Sequence, residues 1–233
     1  MEERFNITED DIRREQSAFI TKVFGWMSFA LLVTGFVALF VAQNEGLQQI
    51  IFGNMFVFWG LFIGELLLVG WLVTAVAKMR ASTAIAVFII YAAVNGLTLS
   101  FIFLLYTASS IATTFFITAG TFAIMSVFGY TTKKDLTSMG NLLYMALVGL
   151  VIATLVNIFL KSEMVYWITT YVGILIFVGL IAYDTQKIKE MNIIGNEGTE
   201  EDKKEAIMGA LTLYLDFINL FLLLLRLLGR SRD

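Results

Sequence analysis

The sequence of 233 residues contains no cysteine, no histidine and no proline. Without cysteine, disulfide bonds, thiol catalysis and cysteine-ligated metal sites are excluded. Without histidine, the chain lacks the most common zinc ligand and the side chain whose charge changes near neutral pH. A response to protons in that range therefore falls to carboxylates. Without proline, breaks within helices depend on the 18 glycines.

Charged residues are also scarce, at 15% of the chain, whereas 58% is hydrophobic and the mean hydropathy is +0.81. This composition excludes a soluble domain and indicates an all-α polytopic membrane protein whose main partner is the lipid bilayer. The net charge of −3 and the lack of a long basic run argue against nucleic acid as a partner. Residues 1–22 are charged and lack the features of a cleaved signal peptide, so we expect a cytoplasmic N-terminal tail.

Seven apolar stretches follow this tail, and each is long enough to cross a bilayer as a helix. They cover residues 23–42, 50–77, 81–106, 111–130, 142–160, 164–186 and 206–228. The sequence therefore predicts a membrane domain over residues 23–229 and a short C-terminal tail over residues 230–233. Because the connections are short, neighbouring helices are expected to pack antiparallel.

Basic residues predict the orientation of these spans, because they accumulate on the cytoplasmic side. With the N-terminus inside, twelve of the sixteen are internal, three are external and Arg226 lies within the last span. The internal ones are Arg4, Arg13, Arg14, Lys22, Lys78, Arg80, Lys133, Lys134, Lys187, Lys189, Lys203 and Lys204, and the external ones are Lys161, Arg230 and Arg232. Seven spans then place the C-terminus outside. The basic tail GRSRD favours the alternative, a re-entrant last segment.

The last apolar stretch, residues 205–229, carries an acid near its middle, Asp216, and a polar stripe along one face of the helix. The stripe contains Gly209, Thr212, Asp216, Asn219 and Arg226. A carboxylate facing lipid would cost at least about 2.5–3.5 kcal/mol, so the stripe is expected to face protein or water. It is a candidate pore lining.

Two further acids lie in or beside apolar stretches. Asp184 ends the sixth span, where it is either an interfacial acid or the partner of Asp216. Contact between these two requires that the last span begin near Leu211 or that the sixth helix be displaced inward; in contact, they would titrate as a unit. Glu65 is either buried and neutral or faces a cavity beside Gly60 and Gly64.

The loop at residues 190–205 is acidic with mixed charges and lacks the spacing of a calcium-binding loop. We interpret it as a solvated connector.

Several segments resemble the Bax inhibitor-1 family, also called the transmembrane Bax inhibitor motif family. They are YTTKKDLTSMG at residues 130–140, AYDTQKIK at 182–189 and LYLDFINLFLLLLRLLG at 213–229, with weaker support from NGLTLS at 95–100 and NIF at 157–159. The resemblance covers nearly the whole chain after the tail. LYLDFINLF is its most specific part.

This resemblance implies six helices around a central seventh, and a calcium leak controlled by a pH-sensitive aspartate pair near the cytosolic side. Asp184 and Asp216 match that pair and would hold calcium only transiently, so the ion is transported and no cofactor is expected. Arg80 lies where the family has a basic residue that pairs with the first aspartate. The short N-terminus is more similar to bacterial members, which implies the cytoplasmic membrane.

Three other functions compete with this interpretation. An intramembrane aspartyl protease also uses two aspartates on adjacent helices, but its Gly-x-Gly-Asp motif is replaced here by Tyr214, Leu215 and Asp216. A retinal protein needs a lysine in its last helix, and this helix has none in its apolar part. A non-conducting regulator that binds other membrane proteins stays open as the main alternative.

Overall fold

The computed structural model describes residues 8–232, which form helices joined by short connections, with an isolated antiparallel bridge between Tyr106 and Ser231. The helices are α1 (Glu9–Ala42), α2 (Glu45–Phe52), α3 (Met55–Ala75), α4 (Ala81–Leu99), α5 (Ile102–Leu105), α6 (Ala108–Thr131), α7 (Thr137–Leu160), α8 (Glu163–Met191) and α9 (Glu200–Leu228). A 3₁₀ turn (Val76–Lys78) extends α3. The all-α fold class is confirmed.

Seven helical segments within residues 8–232 are long and apolar enough to cross a membrane, as predicted. They are α1, α3 with its 3₁₀ turn, α4 with α5, α6, α7, α8 and α9. The largest difference from the sequence prediction is at the start. Residues 9–22 are not a separate tail but the first turns of α1, because Thr8 and Asp11 form a capping box that starts the helix early. Residues 1–7, with Arg4, and residue 233 lie outside the described residues.

The last helix, α9, is the centre of the bundle. It contacts α1, α4, α6 and α8, and its Tyr214, Leu211, Leu213 and Leu220 side chains are completely buried. The second and fifth spans lie further out, because α3 packs on α4 and α7 packs on α8. The most apolar stretch of α7 has none of its residues buried, so this helix presents its surface to lipid.

The two ends of the described chain lie on opposite sides of the bundle. The side where α1 begins is here called the N-terminal side, and there the Lys22 ammonium contacts the Asp202 carboxylate at 2.6 Å. On the other side, the Thr107 and Arg232 backbone N–H groups donate to the carbonyl oxygens of Arg230 and Leu105. Because α9 runs unbroken between the two sides, it is a full crossing and not a re-entrant segment.

The segment predicted as a solvated connector is instead partly docked onto the bundle. Only residues 192–199 separate α8 from α9. The Asp202 side chain is 2% exposed, and it accepts hydrogen bonds from Lys22 and from the Gly198 backbone N–H. The Gly195 N–H donates to Glu15 at 2.8 Å. The acidic residues of this segment therefore bind donors on α1 and on the connector itself, which hydropathy alone does not predict.

Candidate functional site

Asp184 and Asp216 lie side by side where α8 and α9 pack together. Their side chains are 2% and 6% exposed, and the two carboxyl groups are within hydrogen-bonding distance of each other. One oxygen of Asp216, Oδ2, has no hydrogen-bond donor from any residue that the structure describes. Two buried carboxylates in contact repel each other unless a proton or a cation lies between them. The site is therefore built to hold a positive charge.

Tyr144 on α7 completes the site from the other side. Its hydroxyl lies 2.9 Å from Oδ1 and 3.1 Å from Oδ2 of Asp184 and donates its proton to this carboxyl group. The Tyr144 ring packs edge-on against Tyr183 at 6.0 Å, and Gly140 leaves room for the Tyr183 ring. Tyr144 was not among the site residues predicted from the sequence; the available signal was a tyrosine hydroxyl near the start of the fifth apolar stretch, residues 142–160.

The two aspartates meet because α8 is longer than the predicted span, which ends at residue 186. The helix continues to Met191, seven residues beyond Asp184, which is about 10 Å of helix. The last helix, α9, begins at Glu200, but its first turns (EEDKKE) are polar and precede the apolar part. The polar C-terminal end of α8 and the polar N-terminal end of α9 both project beyond the apolar core on the N-terminal side. Asp184 therefore lies deeper in the bundle than a residue at the end of its helix would.

The structure does not bring Arg80 to Asp184. Arg80 is exposed at the start of α4, and the neighbouring Ala81 N–H donates to Glu200 at 2.8 Å. Within residues 8–232 the ion pairs are Arg13–Glu9, Lys22–Asp202 and Lys204–Glu201. The predicted Arg80–Asp184 pair is thus absent from this conformation, because Asp184 points into the bundle toward Tyr144 and Asp216.

The polar stripe of α9 does not form a continuous ladder. Thr212 and Asn219 donate to the carbonyl oxygens of Met208 and Leu215 on their own helix. The Arg226 guanidinium lies 4.6 Å from the Tyr166 ring centroid and 3.4 Å from the Thr170 hydroxyl oxygen. Such local bonds allow isolated polar groups to remain within an apolar bundle.

Glu65 belongs to a second buried network, on a different face of α9. Its carboxylate, on a side chain that is 7% exposed, accepts a hydrogen bond from the Thr98 hydroxyl at 2.6 Å. Asn95, which also approaches Glu65, accepts one from the Tyr214 hydroxyl at 3.0 Å. Thr34 on α1 lies 2.7 Å from the same Tyr214 oxygen. Glu65 therefore lies among hydroxyl and amide groups, and neighbouring Gly60 and Gly64 face open space outside the bundle.

A permanent calcium site is not evident at the aspartate pair. Calcium takes six to eight oxygen ligands. No cluster of three or more acidic side chains with metal-binding geometry occurs within residues 8–232. Two carboxyl groups and one tyrosine hydroxyl supply part of such a ligand set.

Comparison with known proteins supplies the family. Residues 16–233 match the family described as inhibitor of apoptosis-promoting Bax1. The chain belongs to the Bax inhibitor-1 family. The inner membrane protein YbhL of Escherichia coli is 50% identical to it over 215 residues, which cover 92% of both chains. A protein of Borreliella burgdorferi is 45% identical over 94% of both chains, and one of Deinococcus radiodurans is 40% identical over 97% of this chain and 94% of its own.

Membership of the Bax inhibitor-1 family agrees with the seven spans, and the family match includes both aspartates and Tyr144. The chain is an integral membrane protein. The name of the Escherichia coli relative states the inner membrane and no activity.

Proposed function

We propose that this Bax inhibitor-1 family member is a pH-sensitive calcium leak of the bacterial cytoplasmic membrane, not an enzyme, and that Asp184 and Asp216 sense protons. The observation that carries this proposal is the contact between two buried carboxyl groups, one of which has an oxygen without a donor. Two unit charges about 4 Å apart repel by about 4 kcal/mol at an effective dielectric constant of about 20. Unless a cation lies between them, holding the pair together therefore requires at least one proton.

Loss of that proton changes the packing of α8 against α9. Two negative charges separate, and each then needs another partner: water, a calcium ion or a basic side chain. For Asp184, the basic partner we propose is Arg80, which is exposed at the N-terminal side. Lys187, three residues further along α8, is a second basic group that acts on Asp184. We place the Arg80–Asp184 ion pair in this deprotonated state, where it closes the mouth of the path. Protonation releases Arg80 and favours the leak.

Liposomes that contain only this protein test the proposal. Calcium influx, measured across a range of pH, is expected to depend on pH for the wild type and to lose that dependence in Asp184→Asn and Asp216→Asn. Asp135→Asn is the matched control. Asp135 is an exposed acid in the loop after α6, and hydrogen bonds from the Thr137 side chain and backbone lower the pKa of its carboxyl group. If both paired variants keep the wild-type profile, the aspartate-pair mechanism is wrong.

The main alternative is a non-conducting regulator that binds other membrane proteins. The observation that favours it is the outer position of α7, whose surface is free to pack against a partner helix. The same liposomes separate the two functions, because a leak needs no partner and a regulator does. No flux above protein-free liposomes at any pH would support the regulator.

An aspartyl protease would also bring two carboxyl groups together, but its acids require water and an unwound substrate. Here Asp216 lies within a regular helix, next to the buried Tyr214. A helical substrate segment has no access to this position unless α9 opens.

A further inference from the structure

A long apolar groove separates α1 from α6 on the surface of the bundle. It has a volume of about 1000 Å³, at the upper end of the range for ligand-binding pockets. Its floor is aromatic: Phe24 meets Phe122 at 6.2 Å, and Phe122 meets Phe217 of α9 at 5.6 Å between ring centroids. Its α1 wall extends from Ser17 to Leu39, which is about 33 Å of helix and close to the hydrocarbon thickness of a bilayer.

The groove changes from polar to apolar along its length. On the N-terminal side it is lined by hydroxyl-bearing residues of both walls: Ser17, Thr21, Ser28, Ser126 and Tyr130. Toward the other side, its walls are apolar apart from backbone. An amphiphile with a polar head at the N-terminal side and an acyl chain toward the other side has this same polarity.

Ser126 provides independent support for a ligand. Its side chain is 5% exposed and lines the groove, yet its hydroxyl oxygen has no hydrogen-bond partner from any residue that the structure describes. A serine in a helix ordinarily donates to the carbonyl oxygen one turn before it. An unpaired hydroxyl at this depth is expensive unless something in the groove accepts its proton.

Basic side chains lie at the polar end of the groove. The Lys189 ammonium lies 4.8 Å from the Tyr130 ring centroid and 3.0 Å from the Tyr130 carbonyl oxygen. Lys133 and Lys134 follow Tyr130 in the chain, and Arg14 is about one turn before the start of the groove on α1. Glu15, the nearby acid on α1, is bound to the Gly195 N–H. Basic pockets between membrane helices bind anionic lipid head groups.

We propose that this groove binds one anionic phospholipid, with an acyl chain between α1 and α6, its ester oxygens near Ser126 and its phosphate near Lys189. Sites of this kind hold a lipid longer than the ordinary lipid shell does, because shape and charge are both complementary. This proposal does not depend on calcium conduction.

Native mass spectrometry of the full chain tests the lipid site. Protein is purified from vesicles of equal phosphatidylglycerol and phosphatidylcholine, and retention of one phosphatidylglycerol is expected. Gly35→Phe should abolish retention, because Gly35 lines the groove and has open space beside it. Gly25→Phe is the matched control, since Gly25 is on the same helix with open space but outside the groove. Ala123→Phe fills the groove from the opposite wall and repeats the test if Gly35→Phe does not fold.

The head group is tested separately. Lys189→Gln should reduce the retained phosphatidylglycerol about fivefold, the effect expected for one basic residue near an anionic head group. Lys78→Gln, a lysine on the same side but outside the groove, should not reduce it. Equal retention in Gly35→Phe and Gly25→Phe would overturn the proposal. Equal retention of both lipids would also overturn it, because the groove would then hold any lipid. Displacement by oleic acid but not by phosphatidylglycerol would assign the groove to a free fatty acid, and a dimer that Gly35→Phe separates would assign it to a second copy of the chain.

Discussion

Gly129 lies at a close approach of α6 to α8, and replacing it tests the packing that holds the aspartate pair. A Cβ atom at Gly129 would overlap the Ala182 carbonyl oxygen, and this neighbour is backbone, which has no rotamer to change. Ala182 is two residues before Asp184 on the same helix. Gly129→Ala therefore has to move α8 away from α6.

The expected magnitude follows from two opposing effects. Overpacking a close contact costs about 1–3 kcal/mol, whereas alanine in place of glycine within a helix contributes about 1 kcal/mol of stability. Gly129→Ala is expected to have a net cost of up to about 2 kcal/mol. Gly120→Ala, on the same helix with open space beside it, is expected to stabilise by about 1 kcal/mol at most. The two variants make the same chemical change and should move stability in opposite directions.

Thermal unfolding in detergent micelles measures this difference. For a chain of this size, 1 kcal/mol corresponds to about 2–4 °C in Tm. Gly129→Ala is expected to unfold several degrees below Gly120→Ala. Because α8 carries Asp184, Gly129→Ala should also alter the pH profile of calcium flux, while Gly120→Ala leaves it unchanged. Equal Tm values for the two variants would refute the close approach of α6 and α8.

Three other predictions follow from the same contacts. Tyr144→Phe removes the hydroxyl whose one proton is shared by the two oxygens of Asp184. A hydrogen bond to a charged group contributes about 1.5–3 kcal/mol, so the midpoint of the flux profile should move by at least one pH unit. An unmoved midpoint would exclude a role for the hydroxyl. Lys22→Met removes the ion-pair partner of the buried Asp202 carboxylate and should lower stability by about 1–3 kcal/mol. This is less than the cost of breaking a fully buried pair, because Lys22 is 30% exposed. Adding Asp202→Leu should restore most of the lost stability in the same unfolding assay. Cysteine labelling at the two ends of this cysteine-free chain should show the N-terminus inside and the C-terminus outside, and labelling of both ends from one side would exclude seven crossings.

The number of spans and the class of fold follow from the sequence because hydropathy is a local property. A bilayer requires about 20 apolar residues per helix, and seven stretches of this chain meet that requirement. The same reasoning predicts that Asp216 faces protein or water and that Glu65 is either buried or faces a cavity, since a carboxylate facing lipid is costly. These inferences need no knowledge of which helices are neighbours.

Contacts between helices depend on their rotation and relative depth, which no local pattern encodes. The meeting of Asp184 with Asp216 results from the extension of α8 beyond its predicted span and from its packing on α9, and the Tyr144 hydroxyl reaches the pair because α7 packs on α8. Tertiary packing also directs Asp184 away from Arg80.

The buried network of Glu65 and the groove between α1 and α6 also depend on tertiary packing alone. Glu65 reaches the Tyr214 network through Asn95 and Thr98, because α4 lies between α3 and α9. The groove exists because α1 and α6 both pack on α9 and leave a gap between them. Hydropathy does not predict this gap, because an apolar helix face has the same hydropathy whether it lines a groove or faces lipid. The sequence therefore determined what must be buried, and the packing of small and large side chains decided which groups meet.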